Sequence, residues 1–433
     1  MKITPSIPRR LRLDATPEKV AARLRHLPGL VWLDTAGNLA ETDADGGISL
    51  LTAAPLKVLR GHISDPAPIH QALMELGAAQ SAQVDWGFPM AGLFGSVDFD
   101  GQYCFGVYGE VLIHRHSTRE WLATGPQLAE ALDLNPAPAP RPPDGKGDAV
   151  VAARIDFQPE LPRARYEEMV RRAQDYIAAG DIYQVNLAHA FSAEWPEWAD
   201  ALNFARQLRS SSPAPYAAFL NLGGRQVISS SPESFLKMSG SVVRTRPIKG
   251  TRPRYRDAAA DERSSVELLR SVKERAELLM ITDLERNDLG QVCEYGSVRV
   301  TDLMKLERYE QVFHLVSTVQ GTLRPDISHA AALAACFPGG SITGAPKKRA
   351  REIIAELEGR PRGLYTGAIG YFGANGESQF SIAIRTVVIE NGRAEFQVGA
   401  GIVADSVPAQ EWEETLHKAA GILTAAGGGG EHE

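Results

Sequence analysis

Apolar positions along the chain recur at two spacings, and the switch between them outlines the elements. Tyr166, Met169, Val170, Ala173 and Ile177 fall three or four apart, the period of one helix face, and Gly180 follows where such a helix stops. The next run, DIYQVNLAHAF, alternates instead: Tyr183, Val185, Leu187 and Phe191 point to one side of a strand, and Ile182, Gln184 and Asn186 to the other. Two amides on one face of a core strand suggest a polar cavity. FSIAIRTVVI predicts another strand, with Phe380, Ile382 and Ile384 opposite Ser381, Ala383 and Arg385, and AEFQVGAGIVAD predicts a further one. Helices are expected over about residues 264–282, 345–357 and 408–423. Shorter strand-like pieces, LVWLDTA and YCFGVYGEVLIH, precede them. This mixture predicts an α+β fold with several antiparallel strands, rather than a doubly wound parallel sheet.

The sharpest break in the pattern is NPAPAPRPPDGKGD, whose prolines favour extended backbone and whose glycines and charges favour solvent. The predicted organisation is an amino-terminal region over 1–134, a Pro/Gly-rich linker over 135–149, a catalytic region over 150–425 and a disordered tail over 426–433. With 433 residues, 44% of them hydrophobic, the chain has enough apolar material for a large core. The net charge of -7 argues against nucleic acid or an anionic membrane as main partner, so an anionic substrate has to be met by local positive groups. Cys104, Cys293 and Cys336 are too few and too scattered for a disulfide framework or a zinc site, which fits a reducing cytoplasm. No signal-peptide core opens the sequence, and no unbroken apolar run reaches about 18 residues; a soluble, cytoplasmic protein is expected.

Two predicted helices each carry carboxylates one turn apart, Glu274 with Glu277 and Glu411 with Glu414, and Lys418 continues the second stripe. Such pairs suit a hard cation such as Mg²⁺ when buried, and read equally as solvated helix faces when not. FPGGSITGAPKKRA offers Ser341 and Thr343 hydroxyls before a helix start, a setting for an anion or for a plain capping turn. Gly399 and Gly401 end a strand, where the absent side chains permit close ligand approach or mark a bulge. Lys249, set between Ile248 and Gly250 just after Pro247, has a stiff frame that suits a reagent. Arg385 and His314 read on their own as a structural ion pair and a core histidine.

Together SPESFL, RTRPIKGTRPR, ERAELLMITDLERNDLG, HLVSTVQGTL, FPGGSITGAPKKRA, YTGAIGYF, IAIRT and GAGIVADSVPAQEWEET resemble the chorismate-utilising enzymes, in order from about Gly180 to Lys418. The resemblance implies two packed, mainly antiparallel β-sheets flanked by helices, with both parts of the chain contributing. It implies chorismate as substrate, Glu233 as a proton-donating carboxyl, and Mg²⁺ held by Glu277 and Glu414 with support from Glu274 and Glu411. Tyr365, Arg385 and Lys418 match residues that bind the substrate carboxylates, helped by Gly399, Gly401 and Ser341, and His314 matches a ring-facing histidine. Family members that hydrolyse chorismate carry a water-activating lysine where this chain has Gln184, so isomerisation is not expected.

Lys249 stands where anthranilate synthases usually carry alanine, and in this it resembles component I of aminodeoxychorismate synthase. The expected reaction is therefore conversion of chorismate and ammonia to 4-amino-4-deoxychorismate on the way to 4-aminobenzoate and folate, with the Lys249 amine forming an adduct at C2. Arg246 and Arg252 flank the lysine as candidates for lowering its pKa. Anthranilate synthase component I is the alternative, and a silent chorismate- or tryptophan-binding protein a third reading. No Cys-centred elbow is present, so the resemblance implies a separate glutamine amidotransferase as ammonia source and a separate lyase downstream.

Overall fold

A computed structural model describes residues 8–35, 47–77, 86–132 and 154–427. The predicted linker over 135–149 and residues 428–433 of the predicted tail lie outside the described residues, whereas Ala426 is buried against the end of the last helix.

Two mainly antiparallel sheets make the frame, as the sequence led us to expect. The larger, of 12 strands, runs from Arg9–Leu11 at one edge through Val31–Asp34, Tyr216–Leu222, Arg225–Ser231, Thr386–Glu390 and Arg393–Ile402 to Gln184–Glu194 and Gly344–Ala345 at the other. The second, of 10 strands, begins with Ile248–Pro253 and passes through Val312–Thr322, Val242–Arg246, Ser234–Ser239, Glu377–Ile382 and Ala368–Gly373 to Gly92–Val97, Gln102–Tyr108 and Lys57–His62. Both sheets therefore mix strands from the two halves of the chain. Between them lies a core to which one sheet gives Val31, Leu50, Ile113 and Val227 and the other Phe94, Tyr108, Ile369 and Tyr371.

Helices cover the outer faces. The helix over Arg163–Ala178 buries Tyr166, Met169, Val170 and Ala173, the stripe read from the sequence, against Val185, Leu187, Ala400 and Ile402. The positive φ of Gly180, +82°, then turns the chain into the strand Gln184–Glu194. That strand pairs over ten residues with Arg393–Ile402, setting Asn186 opposite Gly401 and Ala188 opposite Gly399.

Two elements differ from expectation. FSIAIRTVVI is two strands: Glu377–Ile382 belongs to the second sheet and Thr386–Glu390 to the first, so residues 383–385 are the crossing. Arg385, at φ +50°, turns that corner and does not sit on a strand face. The helix expected over about 264–282 is also two, Ala258–Arg270 and Val272–Gly290, separated by the extended backbone of Ser271.

Candidate active site

The two acidic helices bring Glu277 and Glu414 within electrostatic reach of one another. Ser271 caps the first, its hydroxyl accepting from the Glu274 backbone N–H at 3.3 Å, which fixes Glu274 in the opening turn and Glu277 one turn further. The second, Pro408–Ala425, starts on a proline and carries Glu411 in its first turn. Burial pushes the Glu277 carboxyl up; Lys249 and Lys273 oppose this, and Glu274 and Glu414 add to it. Burial, with repulsion from Glu414 and relief from Ser406, raises Glu411 as well. Glu414 resists its burial because Lys418, at 2.7 Å, holds it below the usual carboxylate range with help from Lys249 and Lys273. Carboxylates on opposed helices that repel one another, all hard oxygen donors, fit a divalent cation in kind. Among the described residues no three or more such groups converge as a closed ligand shell.

Lys249 lies on a strand of the second sheet, opposite Leu315. The register slips between Lys249 and Thr251, and Gly250 takes φ +79°; a Cβ there would meet Leu268 at 2.7 Å and Glu274 at 3.2 Å. The bulge thus lets the lysine strand pass close to the first acidic helix. The amine acts electrostatically on Glu233, Glu277 and Glu414 together. The flanking arginines serve other carboxylates: Arg246 pairs with Glu307, and Arg252 approaches Glu274 at 3.5 Å.

Glu233 is 8% exposed, and Ser341 donates its hydroxyl to Glu233 Oε1 at 2.7 Å. Burial raises this carboxyl, against the pull of Ser341, Lys249 and Lys418, so a protonated Glu233 is favoured more than in water. His314 is pushed down to about 4 by burial and is a neutral ring at neutral pH, with Nδ1 at 3.0 Å from the Thr251 hydroxyl. Arg385 is half-buried, without a carboxylate partner among the described residues, and desolvation lowers its pKa. A cavity of about 250 Å³ reaches Arg385, His314 and Lys418 beside Tyr309 and Ser212. An unpaired guanidinium facing a cavity suits an anion in charge and hydrogen-bonding geometry.

Gly399 and Gly401 have a cause in the protein itself. A Cβ on Gly401 would lie 2.7 Å from Gln184 Nε2, and one on Gly399 2.9 Å from both Asn186 Oδ1 and the Tyr365 hydroxyl. Lys418 also donates to the Gly399 carbonyl at 2.8 Å, tying the second acidic helix to this strand. Gly399, Tyr365 and Lys418 thus meet at this strand.

Two groups behind the site carried no recognised signal. Arg362, fully buried, forms a two-pronged pair with Glu358 at 2.6 and 2.9 Å. It also donates to the backbone carbonyls of Asn186 at 2.7 Å and Ile342 at 3.2 Å, pinning the amide strand and the Ser341 turn. Glu285, two turns beyond Glu277, is pushed up to about 8 by burial, with Glu233 and Asp288 adding to the shift and the Thr245 hydroxyl, which donates to it, opposing.

Residues 93–424 match the family described as chorismate binding enzyme. Anthranilate synthase component 1 of Streptomyces coelicolor is 51% identical over 266 residues, 61% of this chain and 52% of that one. Its namesake in Thermus thermophilus is 47% identical over 272 residues, 63% of this chain and 58% of that one. The chain spans about half the length of the curated relatives it matches. The crystal structure of anthranilate synthase component I from Streptococcus pneumoniae TIGR4 has a TM-score of 0.75 at 31% identity, covering 89% of this chain and 93% of that one. The menaquinone-specific isochorismate synthase of Escherichia coli shares the fold, with a TM-score of 0.76 at 18% identity, covering 98% of this chain and 95% of that one. These names overturn the expectation of an aminodeoxychorismate synthase and favour the alternative. That expectation rested on one residue, Lys249.

Proposed function

This chain belongs to the chorismate binding enzyme family, and from that premise we propose that it aminates chorismate as an anthranilate synthase component I. The observation that carries the choice within the family is the 51% identity to a relative of that name. In this reading Glu233, its pKa raised by burial and its carboxyl oriented by Ser341, gives its proton to the C4 hydroxyl, which leaves as water while the ring double bonds shift. Ammonia adds at C2. Loss of a ring proton and of the enolpyruvyl group as pyruvate then gives the aromatic ring, so chorismate plus ammonia becomes anthranilate, pyruvate and water. The separate lyase has no place in this sequence.

Arg385, Tyr365 and Lys418 supply the positive and hydrogen-bonding groups for the substrate carboxylates, and neutral His314 lies against the ring. Glu277 and Glu414, with Glu274 and Glu411 beside them, would hold Mg²⁺, which when bound offsets the charge of the ring carboxylate. Lys249 supports the same balance as a fixed cation. A glutamine amidotransferase subunit as ammonia source, and a cytoplasmic setting, belong to this proposal; among the described residues no helix is long and apolar enough to cross a membrane.

Pyruvate release provides the test. With chorismate, Mg²⁺ and ammonium, a coupled lactate dehydrogenase assay should record one pyruvate per chorismate consumed. Consumption of chorismate without pyruvate would overturn the proposal.

A further inference from the structure

Thr366 has φ +61° and is, among the described residues, the one β-branched residue in the left-handed region. A branched side chain crowds its own backbone there, so the conformation persists only where the surroundings hold it. Here they do. Thr366 is fully buried, and its hydroxyl accepts from Arg362 Nη1 at 3.1 Å and donates to the Tyr365 carbonyl at 2.6 Å, joining the buried guanidinium to the Tyr365 main chain. The same guanidinium lies over the Tyr365 ring, 5.6 Å from its centroid. On the backbone side, Thr366 donates its N–H to the Ala383 carbonyl at 2.8 Å, and the Gly367 carbonyl accepts from the Ala383 N–H at 2.9 Å. Ala383 stands two residues before Arg385, itself at φ +50° and held at its carbonyl by the Ser230 N–H at 3.0 Å. The left-handed threonine thus joins the segment that carries Tyr365 to the crossing that carries Arg385.

We propose that Thr366 is a positioning residue for recognition of the substrate carboxylates: held in its left-handed conformation by Arg362, it fixes the spacing between the Tyr365 hydroxyl and the Arg385 guanidinium. The inference rests on the reading above, in which those two side chains meet the carboxylates, and adds what sets their spacing. Two groups that bind one rigid ring have to keep their separation, and a small displacement of either weakens the pair. The hydroxyl is the working group. Serine can make the same two hydrogen bonds, whereas valine keeps the branched shape and leaves both the Arg362 donor and the Tyr365 carbonyl without their bridge.

The test is calorimetric titration with chorismate and Mg²⁺, in the absence of ammonium, on wild type, Thr366→Val, Thr366→Ser and Tyr365→Phe. Thr366→Val should bind chorismate roughly tenfold more weakly, the loss of about one hydrogen bond, and Thr366→Ser within about twofold of wild type. In a Tyr365→Phe background the valine should add less than about twofold, because the spacing no longer has a hydroxyl to serve. Thr366→Gly, whose backbone takes positive φ without a clash, should show the same loss as the valine variant and replaces it if that variant does not fold. Unchanged binding by Thr366→Val, or an equal loss in both backgrounds, would overturn the proposal; the second outcome would make Thr366 a part of the general framework only. Wild-type protein with no affinity for chorismate, or Tyr365→Phe with undiminished affinity, would refute the carboxylate reading itself. A weakened Tyr365→Phe beside an unchanged Thr366→Val would refute the positioning alone.

Discussion

Glu285 is a carboxyl that folding moves out of its ordinary range. It is pushed up to about 8 by burial, from an ordinary value of 4.5, so the folded chain keeps a proton that the unfolded chain has released between those two values. The folded state gains from this group at low pH and loses that gain as pH rises through the window, by at most about 1.4 kcal/mol per pH unit. Urea midpoints of wild type and Glu285→Gln, measured from about pH 5 to pH 8, should diverge, the wild type falling more steeply. Parallel curves would contradict the burial account. Residues of this kind were legible to different degrees. The alternation of DIYQVNLAHAF put Gln184 and Asn186 on one face, and both prove buried. Arg362 has a local partner in Glu358, four residues earlier, but its bonds to the backbone carbonyls of Ile342 and of Asn186, 176 residues away, left no trace in the sequence. Lys249 was legible as a member of the site, but its neighbours in space, which decide whether it is reagent or counter-charge, were not.

At the scale of elements, periodicity located the helices and missed the breaks inside them. Ser271 followed by Glu274 has the Ser-x-x-Glu spacing of a capping box, a signal that marks the start of the first acidic helix after all. The crossing at residues 383–385 had no such mark, since a strand that changes sheets keeps its alternation on both sides. The same elements are locked together by the Arg362–Glu358 pair. Glu358 also accepts from the Ala188 backbone N–H at 2.9 Å, so the pair joins the helix Lys347–Glu358 to the amide strand. Arg362→Met leaves a buried carboxylate alone and should cost about 3–5 kcal/mol in urea unfolding. Replacing both partners by methionine should be milder than this single change; a double variant at least as unstable would show that the pair does not act as a unit.

For the whole molecule, composition and spacing reached no further than α+β. The number and pairing of strands became readable through motifs in fixed order, because each strand finds its neighbours far along the chain: Gly92–Val97 pairs with Ala368–Gly373, and Val31–Asp34 with Tyr216–Leu222. This interleaving brings Lys249 within electrostatic reach of Glu233 and of both acidic helices, with Arg385 at the corner where the chain passes between sheets. The proposed amination acts on a substrate with one carboxylate on its ring and another on its enolpyruvyl side chain, and the position of the new nitrogen is the proposal's most exposed consequence. Turnover of chorismate with ¹⁵N-ammonium and Mg²⁺, followed by NMR of the aromatic product, reads that position directly. The account predicts nitrogen on C2, adjacent to the ring carboxylate, in anthranilate; nitrogen on C4 would contradict it.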